Sequence, residues 1–383
     1  MEITINSEIG EPSRANDQET IRKFTQGELD IIHKQVTKSS EEAKKLLKEV
    51  VRGSTSCIYR VLPRLKKING EPLYEPNLVS IGPYYYKLRN EKFQMAEDCK
   101  WKCFGLLVMK DRDLDMQQQI NTYKRCLQKI SELEEKIRNC YSEEFEVSGI
   151  EFLEMTVLDA CFIIDTIVMR RSIIIAARAW VVPYCYRDFL LLENQIPFFV
   201  LEEIFALTHN ISFEESRSKL VSPLLDLVRT SLNPSNIRQG IKSIFKTTFI
   251  HCISKHRLAG IKVSQGKVRM SFLEVKFKRG VIEMPNIAID DLMRCVLLNS
   301  VAFEQCHQGR SKCFSVYATF LDCLVNTEED VEYLRERNII DNYLTDDSEL
   351  AGFINRAGKD LVFNVFDDFY LVELFEDVDR HYI

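Results

Sequence analysis

The chain has 383 residues, long enough to bury roughly three quarters of the surface its unfolded form exposes and so to build a large core. It holds 51 Lys and Arg against 57 Asp and Glu, a net charge of −6 that lacks the basic footprint of general nucleic-acid binding. No run reaches 18 apolar residues, which excludes a transmembrane helix within this sequence, and the polar first 20 residues carry no signal-peptide core.

Residues 1–25 are polar and predict a disordered tail. From 26 to 383 the pattern predicts a single, mainly α, multi-helix globular domain. A charged helix is expected over 27–52, with Ile31, Ile32, Val36, Ala43, Leu46, Leu47 and Val50 at helical spacing and His33 on the surface. Residues 57–86 change character: Pro63, Pro72, Pro76 and Pro83, with Gly70 and Gly82, forbid a long helix. They read as an extended segment with turns, pinned by Ile58, Val61, Leu65, Leu73, Tyr74, Val79 and Ile81, with Tyr84, Tyr85 and Tyr86 packed at its end.

Helices are expected over 93–109 and 113–141. In the second, Met116, Ile120, Tyr123, Leu127, Ile130, Leu133, Ile137 and Tyr141 step by three or four residues. That stripe suits either an antiparallel pair within the chain or a coiled coil with another chain; its short length favours the first. Residues 151–168 read as a core helix, apolar apart from Glu151, Glu154, Asp159 and Asp165. Arg170, Arg171 and Arg178 suggest a surface segment of helical character.

The stretch 181–205, VVPYCYRDFLLLENQIPFFVLEEIF, is the centre of the pattern. Glu193, Asn194 and Gln195 sit between Leu190-Leu191-Leu192 and Ile196-Pro197-Phe198-Phe199, and polar groups in such surroundings need partners. A helix over 188–196 capped by Asp188, a break at Pro197 and a second helix over 197–207 are expected. Two roles are open to the polar triplet: it lines a site, or it satisfies the backbone groups that Pro197 frees. The second is the stronger reading.

Helical character resumes over 213–248, interrupted by Asn233-Pro234. Residues 271–287 carry the strand signal: Leu273, Val275 and Phe277 alternate with charged residues, and Arg279-Gly280 forms a two-residue turn into Val281, Ile282 and Met284. A β-hairpin is expected there, then helices over 289–382 with Asp290-Asp291 at an N-terminus. Residues 255–279 carry eight Lys or Arg and one acid, whereas 328–349 carry nine Asp or Glu and two Arg. Both are expected to be solvated faces.

Catalytic signatures are missing. The sequence has no GxxxxGK[ST], GxGxxG or GxSxG, so nothing points to a phosphate loop, a dinucleotide or a hydrolase elbow. His251, Cys252 and His256, like Cys306, His307 and Cys313, lack metal-ligand spacing. The 12 Cys form no CxxC pair, and Cys57, Cys161, Cys185, Cys252, Cys295 and Cys323 lie in apolar surroundings, as reduced buried thiols do. The Asn210-Ile211-Ser212 sequon carries little weight without a secretion signal.

Six segments together resemble a known family: 57–86, MTVLDACFII at 155–164, RDFLLLENQIPFFVLE at 187–202, VKFKRGVIEMPNIAIDD at 275–291, NSVAFEQC at 299–306 and LVNTEEDVEYLRERNII at 324–340. In this order they are similar to plant proteins with domain of unknown function 247, over nearly all of residues 50–375. The resemblance implies a mostly helical domain with a small β element and no established enzymatic activity. It also implies, for some members, association with pollen-side self-incompatibility in grasses and, for many, a membrane-spanning helix after the domain, where this sequence ends at Tyr382-Ile383. Tyr85-Tyr86-Lys87 departs from the two histidines and glycine common in the family, and Ala160 from its usual Gly.

The expectation is therefore a non-catalytic interaction or recognition module. Asp188, Glu193, Asn194, Gln195 and Pro197 form its structural motif, with no catalytic, cofactor or metal residues. A protein partner of unspecified identity is expected, with no nucleic acid and with a cytoplasmic location, peripheral to a membrane through that partner. The alternative is an enzyme with an unrecognised site near Glu193 and the 57–86 segment.

Overall fold

The structure is a computed structural model that describes residues 25–109, 115–147, 149–168, 181–220, 250–266, 271–307, 311–362 and 369–382. The expected tail up to residue 24, the arginines at 170, 171 and 178, and the helical pattern beyond residue 220 up to 249 lie outside the described residues.

The chain forms two compact units, 1–51 and 52–383. Helix α1 (Gln26–Thr55), which begins in the first, opens with a capping box. Thr25 Oγ1 accepts the Glu28 N–H, and the Glu28 carboxylate accepts the Thr25 N–H at 2.8 Å. Its Leu29, Ile31, Ile32 and Val36 are exposed, as is His33.

In the second unit, residues 57–86 form a strap broken by short helical pieces. Pro63 starts helix α2 (Pro63–Asn69) at its first position, where the missing N–H is no loss. Gly70, at φ +94°, ends it. Helices α3 (Gln94–Met109), α4 (Met116–Asn139) and α5 (Gly149–Ile163) follow, then a wide turn over Ile164–Val168. Residues 155–163 of α5 are all buried, the mark of a helix that is apolar on every side. The α4 stripe packs inside the chain, against α5 and α7 (Phe198–His209). Ile130 and Ile137 are fully buried, while Met116 and Ile120 at the N-terminal end stay exposed.

The expected helix over 188–196 is displaced. Helix α6 spans Val181–Phe189, and residues 190–197 are irregular. Asp188 therefore sits in the last turn of a helix and does not cap a first one. Pro197, with φ −61° and ψ 138°, instead precedes α7. Asn210 ends α7 in the left-handed conformation that asparagine tolerates.

After α8 (Ile253–Leu258) come β1 (Lys262–Gln265), β2 (Lys276–Lys278) and β3 (Val281–Met284). The expected hairpin pairs β2 with β3, Phe277 opposite Ile282, and β1 adds to β3 in parallel. Arg279 (φ 50°) and Gly280 (φ 78°) supply the two positive φ angles of a tight hairpin turn. The β1 strand had no alternating signal because it is only four residues long.

Strand β4 (Ile287–Ile289) pairs in parallel with β5 (Ile340–Asn342), a contact between distant residues that periodicity cannot reveal. Helices α9 (Asp291–Cys306), α10 (Cys313–Leu324), α11 (Glu328–Glu336), α12 (Asp347–Ala357) and α13 (Val372–Tyr382) complete the unit. Asp290 caps α9 by accepting the Met293 N–H, as its position suggests.

Two apolar clusters fill this unit. One gathers β1–β5 and α9–α13 around Leu298, Phe320, Phe353 and Phe375. The other gathers α3–α7 around Ile130, Phe152, Val157 and Ile204. The strap serves both: Tyr59, Val61, Leu65 and Tyr74 enter the first, Ile58, Val79, Ile81, Tyr84 and Tyr85 the second. The turn after α6 does likewise, with Leu192 in the first and Phe189 and Ile196 in the second.

Arg279 is exposed and holds a left-handed conformation that costs a residue with a Cβ roughly 1 kcal/mol. Arg279→Asn is expected to stabilise the protein by about 0.5 kcal/mol, read as a higher thermal midpoint. A lower midpoint would mean that the arginine makes a compensating contact.

Candidate functional site

The segment from Asp188 to Gln195 projects three polar side chains, Asp188, Glu193 and Asn194, into the strap. The buried Glu193 carboxylate takes four donors. Oε1 accepts the Val61 N–H at 2.8 Å and lies 2.7 Å from Lys66 Nζ. Oε2 accepts Arg60 Nη1 at 3.0 Å and the Tyr85 hydroxyl at 2.7 Å. Burial pushes its pKa up, but the bonds from Lys66, Tyr85 and Val61 and the Lys66 charge outweigh this and hold it below the usual carboxylate value.

The fully buried Asp188 carboxylate accepts three successive backbone N–H groups of the strap: Asn77 at 3.0 Å, Leu78 at 2.7 Å and Val79 at 2.9 Å. Arg187 donates to the same carboxylate at 3.0 Å and to the carbonyls of Glu75 and Pro72. Burial nonetheless leaves the Asp188 pKa raised, with the three N–H groups pulling against it.

Asn194 completes the pattern. Its Oδ1 accepts the Ile81 N–H at 2.7 Å, and its Nδ2 donates to the carbonyls of Val79 and Asp188. An amide side chain thus replaces a neighbouring strand. Gln195 works within its own turn, donating to the carbonyls of Phe189 and Leu191 at 2.7 Å each. The groups satisfied by Glu193 and Asn194 belong mostly to the strap, not to a helix broken at Pro197.

A third buried carboxylate continues the series. Asp159 of α5 accepts the Gly82 N–H at 2.7 Å and a forked pair from Arg89 at 3.0 and 2.7 Å. Lys100 Nζ lies 2.7 Å from it and donates to the Ser80 carbonyl and to Glu97. Burial opposes ionisation of Asp159, and Arg89 and Lys100 overcome it, so its pKa is lowered. Burial, then the Arg89 charge, lowers Lys100. On the far side, Asn299 of α9 accepts the Leu192 N–H and donates to the Leu73 carbonyl, tying turn and strap to the other cluster.

Asp159 was legible as an odd charge in an apolar run, but its partners Arg89 and Lys100 were not, because nothing local links them to it. Arg60, Lys66, Tyr85 and Asn299 escaped for the same reason.

A cleft of about 550 Å³ lies beside the motif. Its wall includes Cys57, Ile58, Leu190–Leu192, Gln195–Phe198, Asn299, Phe303 and Glu304, but neither Glu193 nor Asn194. Glu304, pushed up to about 7 by burial, accepts the Phe314 and Ser315 N–H groups and the Ser315 hydroxyl, and so caps α10. Cys57, expected to be buried, is exposed, and Cys323 is half-buried; Cys161, Cys185, Cys252 and Cys295 are buried. The His251 and His256 rings meet edge to face, 6.5 Å apart. Burial, then His251, lowers His256 to about 4. Among the described residues no three His, Cys, Asp or Glu are grouped to hold a metal, and no helix is long and apolar enough to cross a membrane.

These features define a mainly helical protein with small sheets, built around a side-chain-fastened strap. Residues 58–383 match the family model described as plant protein of unknown function, domain of unknown function 247, and the chain belongs to that family. It is similar to the UPF0481 protein At3g47200 of Arabidopsis thaliana, 29% identical over 88% of this chain and 79% of the relative. A second Arabidopsis thaliana UPF0481 protein, At3g02645, is 27% identical over 52% of this chain and 36% of its own length. No solved structure matches the chain.

Glu193→Leu would strand the Val61 N–H and take their carboxylate from Lys66, Arg60 and the Tyr85 hydroxyl, leaving Arg60 the Tyr84 carbonyl and Tyr85 the Tyr74 carbonyl. It is expected to cost about 3 kcal/mol in urea denaturation, and an unchanged midpoint would refute the fastening role. Because the folded pKa of Glu193 is lowered, its stabilisation is complete above the unfolded value of about 4.3 and fades as pH falls through the folded value. Glu193→Gln should therefore flatten part of the acid limb of the stability curve. Gly82 sits at φ +72°, and a Cβ there would lie 2.3 Å from the Gln195 carbonyl oxygen. Gly82→Ala is expected to cost about 2 kcal/mol or more, read the same way.

Proposed function

We propose that this chain is a non-catalytic protein-interaction or recognition module of a plant protein, serving signalling or self-recognition. It works in the cytoplasm or at the cytoplasmic surface of the plasma membrane, where a protein partner holds it. The net charge of −6 favours a protein over a nucleic acid.

Two features support this reading. The first is negative for chemistry: a carboxylate offers about four lone-pair positions, and all four on Glu193 are taken by Val61, Lys66, Arg60 and Tyr85. A general base or nucleophile there would have to break the contacts that hold the strap.

The second feature carries the proposal. Trp101 of α3 is 47% exposed, and Met116 and Ile120 of α4 are 70% and 41% exposed. The Trp101 ring lies 5.5 Å from that of Tyr123, one turn along the α4 stripe from Ile120. Surface apolar groups gathered around a tryptophan suit a binding surface, because Trp supplies large contact area at low conformational cost. The inner part of the stripe serves the core, and its outer end is left for a partner.

The test is proximity labelling of the full-length protein in plant cells, comparing it with a Trp101→Ala, Ile120→Glu double variant of equal thermal midpoint. The variant is expected to lose about tenfold or more of the enrichment of specific neighbours. An unchanged set of neighbours would refute this surface.

A further inference from the structure

The strap and the end of α4 meet at one parallel bridge, Ile58 with Tyr141. The Cys57 and Ile58 N–H groups both donate to the Cys140 carbonyl at 2.9 Å, and the Ser142 N–H donates to the Ile58 carbonyl at 2.9 Å. Ile58 and Tyr141 point inward and are buried. Cys57 and Cys140, the residues that precede them, are joined by the same short contact, the Cys57 N–H on the Cys140 carbonyl. Cys57 is exposed and Cys140 half-buried. Standard bond lengths added to the 2.9 Å contact leave their Cα atoms no more than about 6.8 Å apart. That is within the span of a disulfide.

The Cys140 thiol donates to the Lys136 carbonyl at 3.4 Å, and the two thiols shift each other's ionisation in opposite directions. The Cys140 side chain, against a smaller opposing effect of burial, lowers the Cys57 thiol to about 7. The Cys57 side chain, reinforced by burial, raises Cys140. One sulfur is therefore an accessible nucleophile near neutral pH, and the other is its protonated neighbour. Nucleophilic thiolate and nearby resolving thiol are what selective oxidation requires. Cys57 is also the single exposed cysteine of the 12.

We propose that Cys57 and Cys140 form a reversible oxidation site, closed to an intramolecular disulfide by a peroxide and reopened by a dithiol. The Cys57 thiolate attacks one oxygen of hydrogen peroxide, the O–O bond breaks, and hydroxide leaves to give a sulfenic acid at Cys57. The Cys140 sulfur then attacks the Cys57 sulfur, the S–O bond breaks, and the second oxygen departs as water with the Cys140 proton. Two thiols and one peroxide give one disulfide and two waters. The bond fastens the entry of the strap to the end of α4 and withdraws a thiol from the cleft wall. It does so regardless of which partner the protein binds.

The experiment treats the folded, reduced, full-length protein with stoichiometric hydrogen peroxide, alkylates the remaining thiols, and maps the digest by mass spectrometry without reductant. The expected product is a peptide pair joined at Cys57 and Cys140, two hydrogens lighter than its parts and separated by dithiothreitol. In Cys140→Ala the pair is absent and Cys57 is trapped as a sulfenic acid by dimedone. In Cys57→Ala, oxidation of Cys140 slows about tenfold or more. Both variants are read at thermal midpoints matching the reduced parent. A Cys57 that stays reduced while other cysteines oxidise, or that links elsewhere, would overturn the proposal, and the unsubstituted protein alone suffices to show either result.

Discussion

The backbone of residues 77–82 is irregular, bent at 77, 78 and 82, and has no neighbouring strand, so the architecture of the 52–383 unit depends on how its amides are satisfied. Three side chains do it. Asp188 takes the N–H groups of Asn77, Leu78 and Val79, Asn194 takes that of Ile81, and Asp159 takes that of Gly82. Glu193 repeats the device at Val61. A buried amide left unpaired costs about 1–3 kcal/mol, so this set of bonds decides whether the strap can be buried at all.

Burying carboxylates is itself expensive, and each is compensated differently. Asp159 has Arg89 and Lys100. Glu193 has Lys66 and Arg60, both of which keep some access to water. Asp188 relies chiefly on backbone dipoles with Arg187 at its edge, and burial leaves its pKa raised where the other two are lowered. Such pairs discriminate: a strap shifted by one residue would lose every partner together. The same saturation that fixes the strap leaves these groups without spare capacity for chemistry, which links the fold to the reading of an interaction module.

Much of the helical frame was legible. The stripe from Ile120 to Tyr141, the apolar run from Met155 to Ile164 and the Arg279-Gly280 hairpin each carry a local period or turn signal strong enough to read alone. The motif was legible as a location: a Glu-Asn-Gln triplet among leucines and phenylalanines has to be partnered. Its partners were not. Arg60, Lys66 and Tyr85 lie more than 100 residues away from Glu193, and no local pattern relates them. The helix expected over 188–196 failed because apolar content there reflects burial between two clusters, with Leu192 in one and Ile196 in the other. Leucine-rich composition does not distinguish a core helix from a buried turn.

By itself the sequence determined the class of fold, the family resemblance, the hairpin and the need for buried polar partners around Pro197, since all of these rest on neighbours within a few residues. Tertiary structure alone decided which groups meet: the three carboxylates on the strap, the parallel β4–β5 pair and the Cys57–Cys140 juxtaposition. The physical reason is that hydrogen bonds and ion pairs act over a few ångströms of space, and only the folded chain sets which distant residues come that close.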